Sequence, residues 1–295
     1  MARLLLGREV AAAMNENTKA RAAALAEKRI QPKLALIRCG EGEDDLSYEK
    51  SARRAAETAG VMLESIHLPA SVSRHELYER IRSVNIDRFI HGCLILRPLP
   101  GELAAAQGEV CACLAPEKDV DCCTPAANAA LFMGQGTGFS PCTAQACMEM
   151  LAHYGISCRG KQAVVIGRSL VVGRPLAMLL LAQDATVTIC HSRTENMAEL
   201  CRRADLIISA AGAPGLITGD FVRPGQVLLD VSMNWDATLP NSHGSLGRFV
   251  GDAAFEEVEP VVEAISPVPG GVGGVTSAVM MRHVVEAAER SLHGR

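Results

Sequence analysis

The sequence predicts an α/β protein built as two α/β domains, and three observations predict it. Helix-like and strand-like segments alternate through the first half, the alternation restarts near residue 140, and the restarted half carries the run "VVIGRSLVVGRPLAMLLL". Helix alternating with strand argues for a parallel sheet covered by helices. A strand, a glycine turn and a helix in one run argue that the second domain is doubly wound and binds a nucleotide.

The elements follow in order. Residues 8–29, rich in Ala, Glu, Lys and Arg, read as a helix, and "KLALIRCG" (33–40) as a strand ending in glycine. Residues 46–59 read as a helix closed by Gly60 at its C-terminal cap. "VMLESIHLP" is a second strand, "SRHELYERIRSVN" a helix with a serine cap, and "GCLILRPLP" a third strand ending at Pro98 and Pro100. In the second half "TAQACMEMLAHYG" is a helix, "KQAVVIGRS" a buried strand and "GRPLAMLLLAQD" a helix with Pro near its start. "TVTICHS", "ADLIISAAG" and "QVLLDVSMN" are further strands, with the helix "NMAELCRRA" between the first two. The last segment, "TSAVMMRHVVEAAERSLHG", is one long amphipathic helix, expected to return to the first domain. The domains therefore divide as 1–139 plus 275–295, and 140–274.

Composition excludes several classes. Of 295 residues, 48% are hydrophobic, enough for a sizeable core, and 21% are charged with a net charge of −4. A nucleic-acid binder needs a basic stripe, and 3% aromatic residues leave little for base stacking. The N-terminus has only a short apolar run followed soon by acids, and no uncharged apolar run approaches the ~18 residues of a membrane span. Eleven cysteines, an odd number, are scattered through apolar runs, which predicts a cytoplasmic protein with reduced thiols. In "VCACLAPEKDVDCC" the pairs Cys111/Cys113 and Cys122/Cys123 are spaced too closely for the usual zinc pattern, so they read as small buried thiols and no metal is expected.

The nucleotide turn departs from the common G-x-G-x-x-G fingerprint. Gly167 ends the strand and Gly173 lies at the turn into the helix. Glycines there let backbone N–H groups approach a pyrophosphate, and a helix N-terminus stabilises its charge. A tight turn packing a helix on a sheet has the same spacing. The second strand ends "CHSRT", with Ser192 and Arg193 where an NAD site places an acid, and Arg168 follows the first glycine. Two arginines and a hydroxyl suit a 2′-phosphate, which favours NADP over NAD; either arginine could equally be a solvated surface residue.

"DDLSYEKSARRAAETAG" (44–60) places Tyr48 and Lys50 two apart, which on a helix is about 200° and nearly opposite sides. Lys50, Arg53 and Arg54 therefore read as solvent-facing or substrate-tail charges. The position sharing Tyr48's face is 52, and it holds an alanine.

With these blocks assembled, the chain resembles the methylenetetrahydrofolate dehydrogenase/cyclohydrolase family, commonly named FolD. The likeness covers nearly the whole chain. "GRSLVVGRP", including Ser169, is similar to its nucleotide loop, and "TVTICHSRT", "ADLIISAAG", "PEKDVD", "SPCTA" and "SPVPGGVGGVT" match other blocks in order. The resemblance implies a cytosolic or organellar homodimer, with a folate-binding catalytic domain, an NADP-binding Rossmann-like domain, and folate and NADP in the cleft between. It implies oxidation of 5,10-methylenetetrahydrofolate with reduction of NADP, then hydration of the methenyl product. Family members commonly use a tyrosine with a lysine four residues later, a glutamine that tunes the lysine, and an aspartate that holds the pterin.

Carried over position by position, Tyr48 matches the tyrosine and Asp121 the aspartate, while the lysine falls on Ala52 and the glutamine on Leu96. Cys122, Ala144, Ser232 and Gly274 are smaller departures; Pro267, Pro269, Gly270, Gly271 and Gly273 are retained, and Pro267, Gly270 and Gly271 become candidate substrate-binding positions. Without the resemblance, Tyr48 is an ordinary half-buried helix tyrosine and Asp121 a loop acid beside Lys118. Hydride transfer moves no proton, so positioning and electrostatics can carry it. Hydration needs a water and a proton shuttle, which aliphatic side chains cannot supply. The expectation is a dehydrogenase whose cyclohydrolase activity is lost or strongly weakened. The alternatives are a fully bifunctional enzyme, a folate- or nucleotide-binding relative that catalyses nothing, and an NADP-dependent dehydrogenase of another small molecule.

Overall fold

The computed structural model describes residues 1–134, 138–240 and 246–293. In chain order, β1 (Arg3–Leu4) and α1 (Gly7–Glu27) lead into β2 (Lys33–Cys39), α2 (Glu43–Ala59), β3 (Met62–Leu68), α3 (Arg74–Ile86), β4 (Gly92–Ile95), α4 (Leu103–Ala112) and α5 (Pro125–Met133). The second half runs α6 (Cys142–His153), β5 (Gln162–Ile166), α7 (Gly173–Ala182), β6 (Thr186–Cys190), α8 (Met197–Arg203), β7 (Leu206–Ser209) and β8 (Val227–Asp230). It closes with β9 (Asn234–Pro240), β10 (Leu246–Val250), α9 (Phe255–Val258), β11 (Ala264–Ile265) and α10 (Gly273–His293). The last expected helix extended to residue 294; residues 294 and 295 lie outside those described. No helix among the described residues is long and apolar enough to cross a membrane.

Two compact units form, residues 12–142 with 277–295, and residues 1–11 with 143–276. The first holds a parallel three-stranded sheet in the order β3-β2-β4. Central β2 is buried from Leu34 to Cys39 on both faces, as a parallel strand between helix layers must be. The predicted caps form: Gly60 ends α2 at φ +72°, and the Ser73 hydroxyl accepts the Glu76 amide at 3.1 Å to start α3. The sequence pattern suggested no element between residues 101 and 133, yet α4 and α5 form there. The start of α4 has no side-chain cap, so its local signal is weak; the unit's core, with Leu77, Ile95, Val110 and Leu114, holds it. The C-terminal helix returns to this unit as expected. Val284 of α10 lies so near Gly92 that a Cβ there would sit 3.1 Å from it, and 2.6 Å from Val120.

The second unit holds a six-stranded parallel sheet, in the order β1-β11-β8-β7-β5-β6. Residues 1–11 belong here, whereas the sequence reading began the first domain at residue 1. The reason is β1, which pairs Arg3 with Ala264 and Leu4 with Ile265. A two-residue strand has no readable period, and its partner lies far along the chain. The segment read as one strand, "QVLLDVSMN", is divided: β8 stops at Asp230, and Asn234 opens β9, which pairs antiparallel with β10. Trp235 and Phe249 meet edge to face across that pair at 5.0 Å.

Candidate active site

Tyr48 stands on α2, with 37% of its surface exposed. Burial raises the pKa of its phenol well above the usual value, and the nearby Asp121 carboxylate and Cys142 thiol add to the shift while Arg97 opposes it. Tyr48 is therefore a protonated hydroxyl at neutral pH. Tyr48 and Asp121 are near enough to interact electrostatically.

Asp121 follows a short loop that its neighbour organises. The Asp119 carboxylate accepts the amides of Cys123 (2.9 Å) and Thr124 (2.8 Å), while the Lys118 ammonium donates to the carbonyls of Val84 and Asp87 at 2.5 and 2.6 Å. Lys118 thus ties off the end of α3. The partner of Asp121 is Arg97, whose Nη2 lies 3.1 Å from Oδ2, and Oδ1 accepts the Cys142 amide at 3.0 Å. Burial pushes the Asp121 carboxyl up; the Cys142 amide and Arg97 pull it back. Lys118 is thus taken up by backbone carbonyls, and the side chain paired with Asp121 is Arg97.

The two positions expected to have lost proton-transfer groups are both buried. Ala52 is 2% exposed on α2, and Leu96 is 8% exposed just past β4, where its amide continues the ladder to Ile37 O at 2.9 Å. Because α2 is continuous from Glu43 to Ala59, nothing rewinds it to bring Lys50 onto the face of Tyr48, and Lys50 and Arg54 are exposed. Arg53 is exposed too, as expected, yet it is not without partners. Its guanidinium donates to Ser65 Oγ at 2.8 Å and to Glu49 Oε1 at 3.3 Å, which ties α2 to β3.

Sequence reasoning missed Arg97, Cys142 and His283. Buried His283 places Nδ1 2.9 Å from Val120 O and 3.8 Å from the Cys142 thiol, and its ring stacks on Phe139 at 4.7 Å. It supports the carbonyl one residue before Asp121. No spacing in the sequence signals this contact, since residues 120 and 283 lie on different elements. For Arg97 a signal existed: an arginine in an otherwise apolar strand-end run asks for a partner.

In the other unit the nucleotide turn forms where predicted. Gly167 has φ +125°, and a Cβ there would lie 2.4 Å from Ala210 O. A Cβ on Gly173 would lie 2.1 Å from Gly167 O, so the glycines let α7 start directly against the end of β5. Ser169 Oγ accepts the Val172 amide at 3.0 Å and holds the turn. Arg168 and Ser169 follow Gly167 in it, and both are exposed. After β6, His191 and Thr194 close a turn that leaves Ser192 and Arg193 exposed. The donor set is two cations, two hydroxyls and the backbone amides at the start of α7, which fits a phosphorylated dinucleotide.

Of the proline–glycine block, Pro267 is half-buried, Gly270 is exposed at φ +111° and Gly271 is buried. The Gly270 carbonyl accepts the Gly7 amide at 2.9 Å, and a Cβ on Gly271 would lie 2.6 Å from Pro267 O. Gly271 therefore offers backbone only. Ser232 also has a structural use: its hydroxyl donates to Asp252 at 2.7 Å and accepts the Gly212 amide at 3.1 Å. Asp252 further receives the Ser209 hydroxyl and the amides of Ala211 and Ala213, which fixes the loop after β7.

Comparison with known proteins agrees with this layout. The family described as the catalytic domain of tetrahydrofolate dehydrogenase/cyclohydrolase matches residues 5–121, and the family of its NAD(P)-binding domain matches residues 141–292. The chain is 43% identical over 289 residues to the "Bifunctional protein FolD" of Carboxydothermus hydrogenoformans, covering 98% of each. It superposes with TM-score 0.91 on the bifunctional methylenetetrahydrofolate dehydrogenase/cyclohydrolase of Campylobacter jejuni, at 36% identity over 98% of this chain and 99% of that one. It also superposes with TM-score 0.91 on the Trypanosoma brucei dehydrogenase-cyclohydrolase complexed with NADP and an inhibitor, at 34% identity over 99% and 98%.

Proposed function

The chain belongs to the tetrahydrofolate dehydrogenase/cyclohydrolase family, and on that premise we propose that it oxidises 5,10-methylenetetrahydrofolate to the 5,10-methenyl form, reduces NADP, and no longer hydrolyses the methenyl product efficiently. The observation that carries the second half is the pair of buried aliphatic side chains, Ala52 and Leu96, beside a retained Tyr48 and Asp121.

The two half-reactions ask different things of this cluster. Removal of hydride leaves a cation shared between two folate nitrogens, and no proton moves in that step. Asp121 can accept paired hydrogen bonds from the pterin's aminopyrimidine edge, and the Tyr48 hydroxyl can donate to the bound folate; both orient the methylene carbon. A protonated lysine at position 52 would oppose the developing cation, so alanine there costs the oxidation little. Hydration needs a group that takes a proton from water and returns one to a ring nitrogen. Tyr48 is held protonated and Arg97 stays charged at neutral pH, so neither serves as that base.

NADP supplies the hydride acceptor when bound. Gly167, Ser169 and Gly173 would carry its pyrophosphate at the start of α7, with Arg168, Ser192 and Arg193 toward the 2′-phosphate. The folate-binding domain and the NADP-binding domain are read as the two units in turn, and the cytoplasmic homodimer belongs to the same reading.

The test is a paired assay on purified protein. NADPH formation from methylenetetrahydrofolate is expected, with methenyl hydrolysis close to the uncatalysed rate. The double variant Ala52→Lys plus Leu96→Gln is expected to gain hydrolysis at least about tenfold, short of the ~10²–10⁴ that a well-placed acid–base contributes. Wild-type hydrolysis keeping pace with NADPH formation would overturn the loss; absent NADPH formation would overturn the dehydrogenase.

A further inference from the structure

Arg97 follows Leu96 at the end of β4, and its guanidinium turns toward Asp121. The two side chains are 20% and 17% exposed, with Nη2 3.1 Å from Oδ2. The other carboxylate oxygen accepts the Cys142 amide at 3.0 Å. We propose that Arg97 is a positioning residue for folate: it holds the Asp121 carboxylate in the orientation that offers one free lone pair on each oxygen to the pterin's aminopyrimidine edge. This rests on the reading of Asp121 as the pterin anchor.

The physical reason is the chemistry of a buried carboxylate. With one donor on each oxygen, an ionised carboxylate still has an acceptor site on each for a paired hydrogen bond. Once protonated, it presents a donor on one oxygen and loses that paired pattern. Burial favours the protonated form of Asp121, and the Cys142 amide and Arg97 counter it.

The groups facing Asp121 come from several elements. Arg97 comes from the end of β4, Tyr48 from α2, Cys111 from α4, Asp119 and Cys122 from its own loop, and the Cys142 amide and thiol from the start of α6. Arg282 and His283 of α10 face the Cys142 thiol in turn. Asp119 raises the Asp121 pKa further, so loss of the arginine leaves a like charge unopposed. Arg97 also faces the sulfurs of Cys111 and Cys123, so its charge is set among groups that do not replace it as a cation.

The test is calorimetric binding of tetrahydrofolate to the full chain, from about pH 6 to about pH 9, with NADPH formation measured alongside. In Arg97→Leu, binding is expected to weaken about 10- to 100-fold at the acid end, because loss of a neighbouring charge moves a carboxyl by about 1–3 units. The deficit is expected to shrink as pH rises and Asp121 ionises. Arg97→Lys should recover part of it, and Asp121→Asn should bind weakly at every pH. The double variant Arg97→Leu plus Asp121→Asn, which leaves no unpaired buried charge, should bind no more weakly than Asp121→Asn alone.

A pH-independent deficit in Arg97→Leu, or a double variant weaker than Asp121→Asn, would overturn the proposal, since Arg97 would then act on folate directly or only on the fold. Wild-type turnover with unchanged binding in Arg97→Leu would overturn this proposal and leave the proposed function standing. Wild type that neither binds tetrahydrofolate nor turns over would overturn both.

Discussion

Arg38 Nε lies 3.0 Å from Glu49 Oε2, and both side chains are buried, at 6% and 10% exposure. Glu49 is the residue after Tyr48 on α2, and Arg38 sits in β2. His67 of β3 reaches the same carboxylate at 3.1 Å, and Arg53 at 3.3 Å. One buried acid therefore fastens the Tyr48 helix to two strands.

Burial works against the Glu49 charge, but hydrogen bonds from Ser65, His67 and Arg38 outweigh it and hold the pKa down at about 2, against an ordinary 4.5. A folded-state pKa below the unfolded one stabilises above the unfolded value, and that stability is lost as pH falls from about 4.5 through about 2. Glu49→Gln should lower stability at neutral pH by about 3 kcal/mol, the scale for breaking one partner of a buried pair. It should also flatten the acid limb of the unfolding curve in that window, read by thermal denaturation across pH.

His283 sets a second window. Burial pushes its pKa down to about 4, against 6.5 for a free histidine. The neutral ring is thus the native form, and its stabilisation is complete above the unfolded value and lost as pH falls from about 6.5 through about 4. His283→Phe keeps an aromatic surface against Phe139 but gives up the bond to Val120 O. It should be less stable at neutral pH by about 1 kcal/mol, with a smaller Tm drop across that interval than wild type.

Gly173→Ala should abolish tight NADP binding, because its Cβ would lie 2.1 Å from the Gly167 carbonyl oxygen and force α7 away from β5. Gly274→Ala is the matched control, as nothing lies within 4 Å of the place its Cβ would take. Its stability should stay within about 0.5 kcal/mol of wild type. Fluorescence titration with NADPH separates the two.

Arg193→Ala should raise the KM for NADP about tenfold or more and leave the KM for NAD nearly unchanged, since a charge-assisted bond to phosphate contributes roughly 1.5–3 kcal/mol. Equal effects on both cofactors would assign Arg193 to the turn rather than to the 2′-phosphate.

The legible parts of this protein were those encoded over a few residues. Alternating helix and strand period, Gly60 and Ser73 as caps, and the turn from Gly167 to Gly173 all act within one or two turns of chain, and all appear where the pattern puts them. The aliphatic character of positions 52 and 96 was likewise readable at once, because a side chain's inability to exchange protons does not depend on its surroundings. Helix α4 was not legible, since it starts without a side-chain cap and its apolar face gains stability only from the core it joins, whereas α5 carried local signals the pattern reading passed over: the Thr124 cap, Pro125 at its start and left-handed Gly134 at its end.

What tertiary structure decided is which distant residues meet. Arg3 pairs with Ala264 and moves the first residues into the nucleotide unit; Arg97 finds Asp121; His283 finds Val120. The sequence determined the two α/β halves, the nucleotide turn and the loss of the lysine and glutamine side chains. The fold decided that Asp121 answers to Arg97 rather than to Lys118. A lysine three residues away faces whichever neighbours the loop permits, whereas the order of strands and helices brings a remote guanidinium within hydrogen-bonding distance.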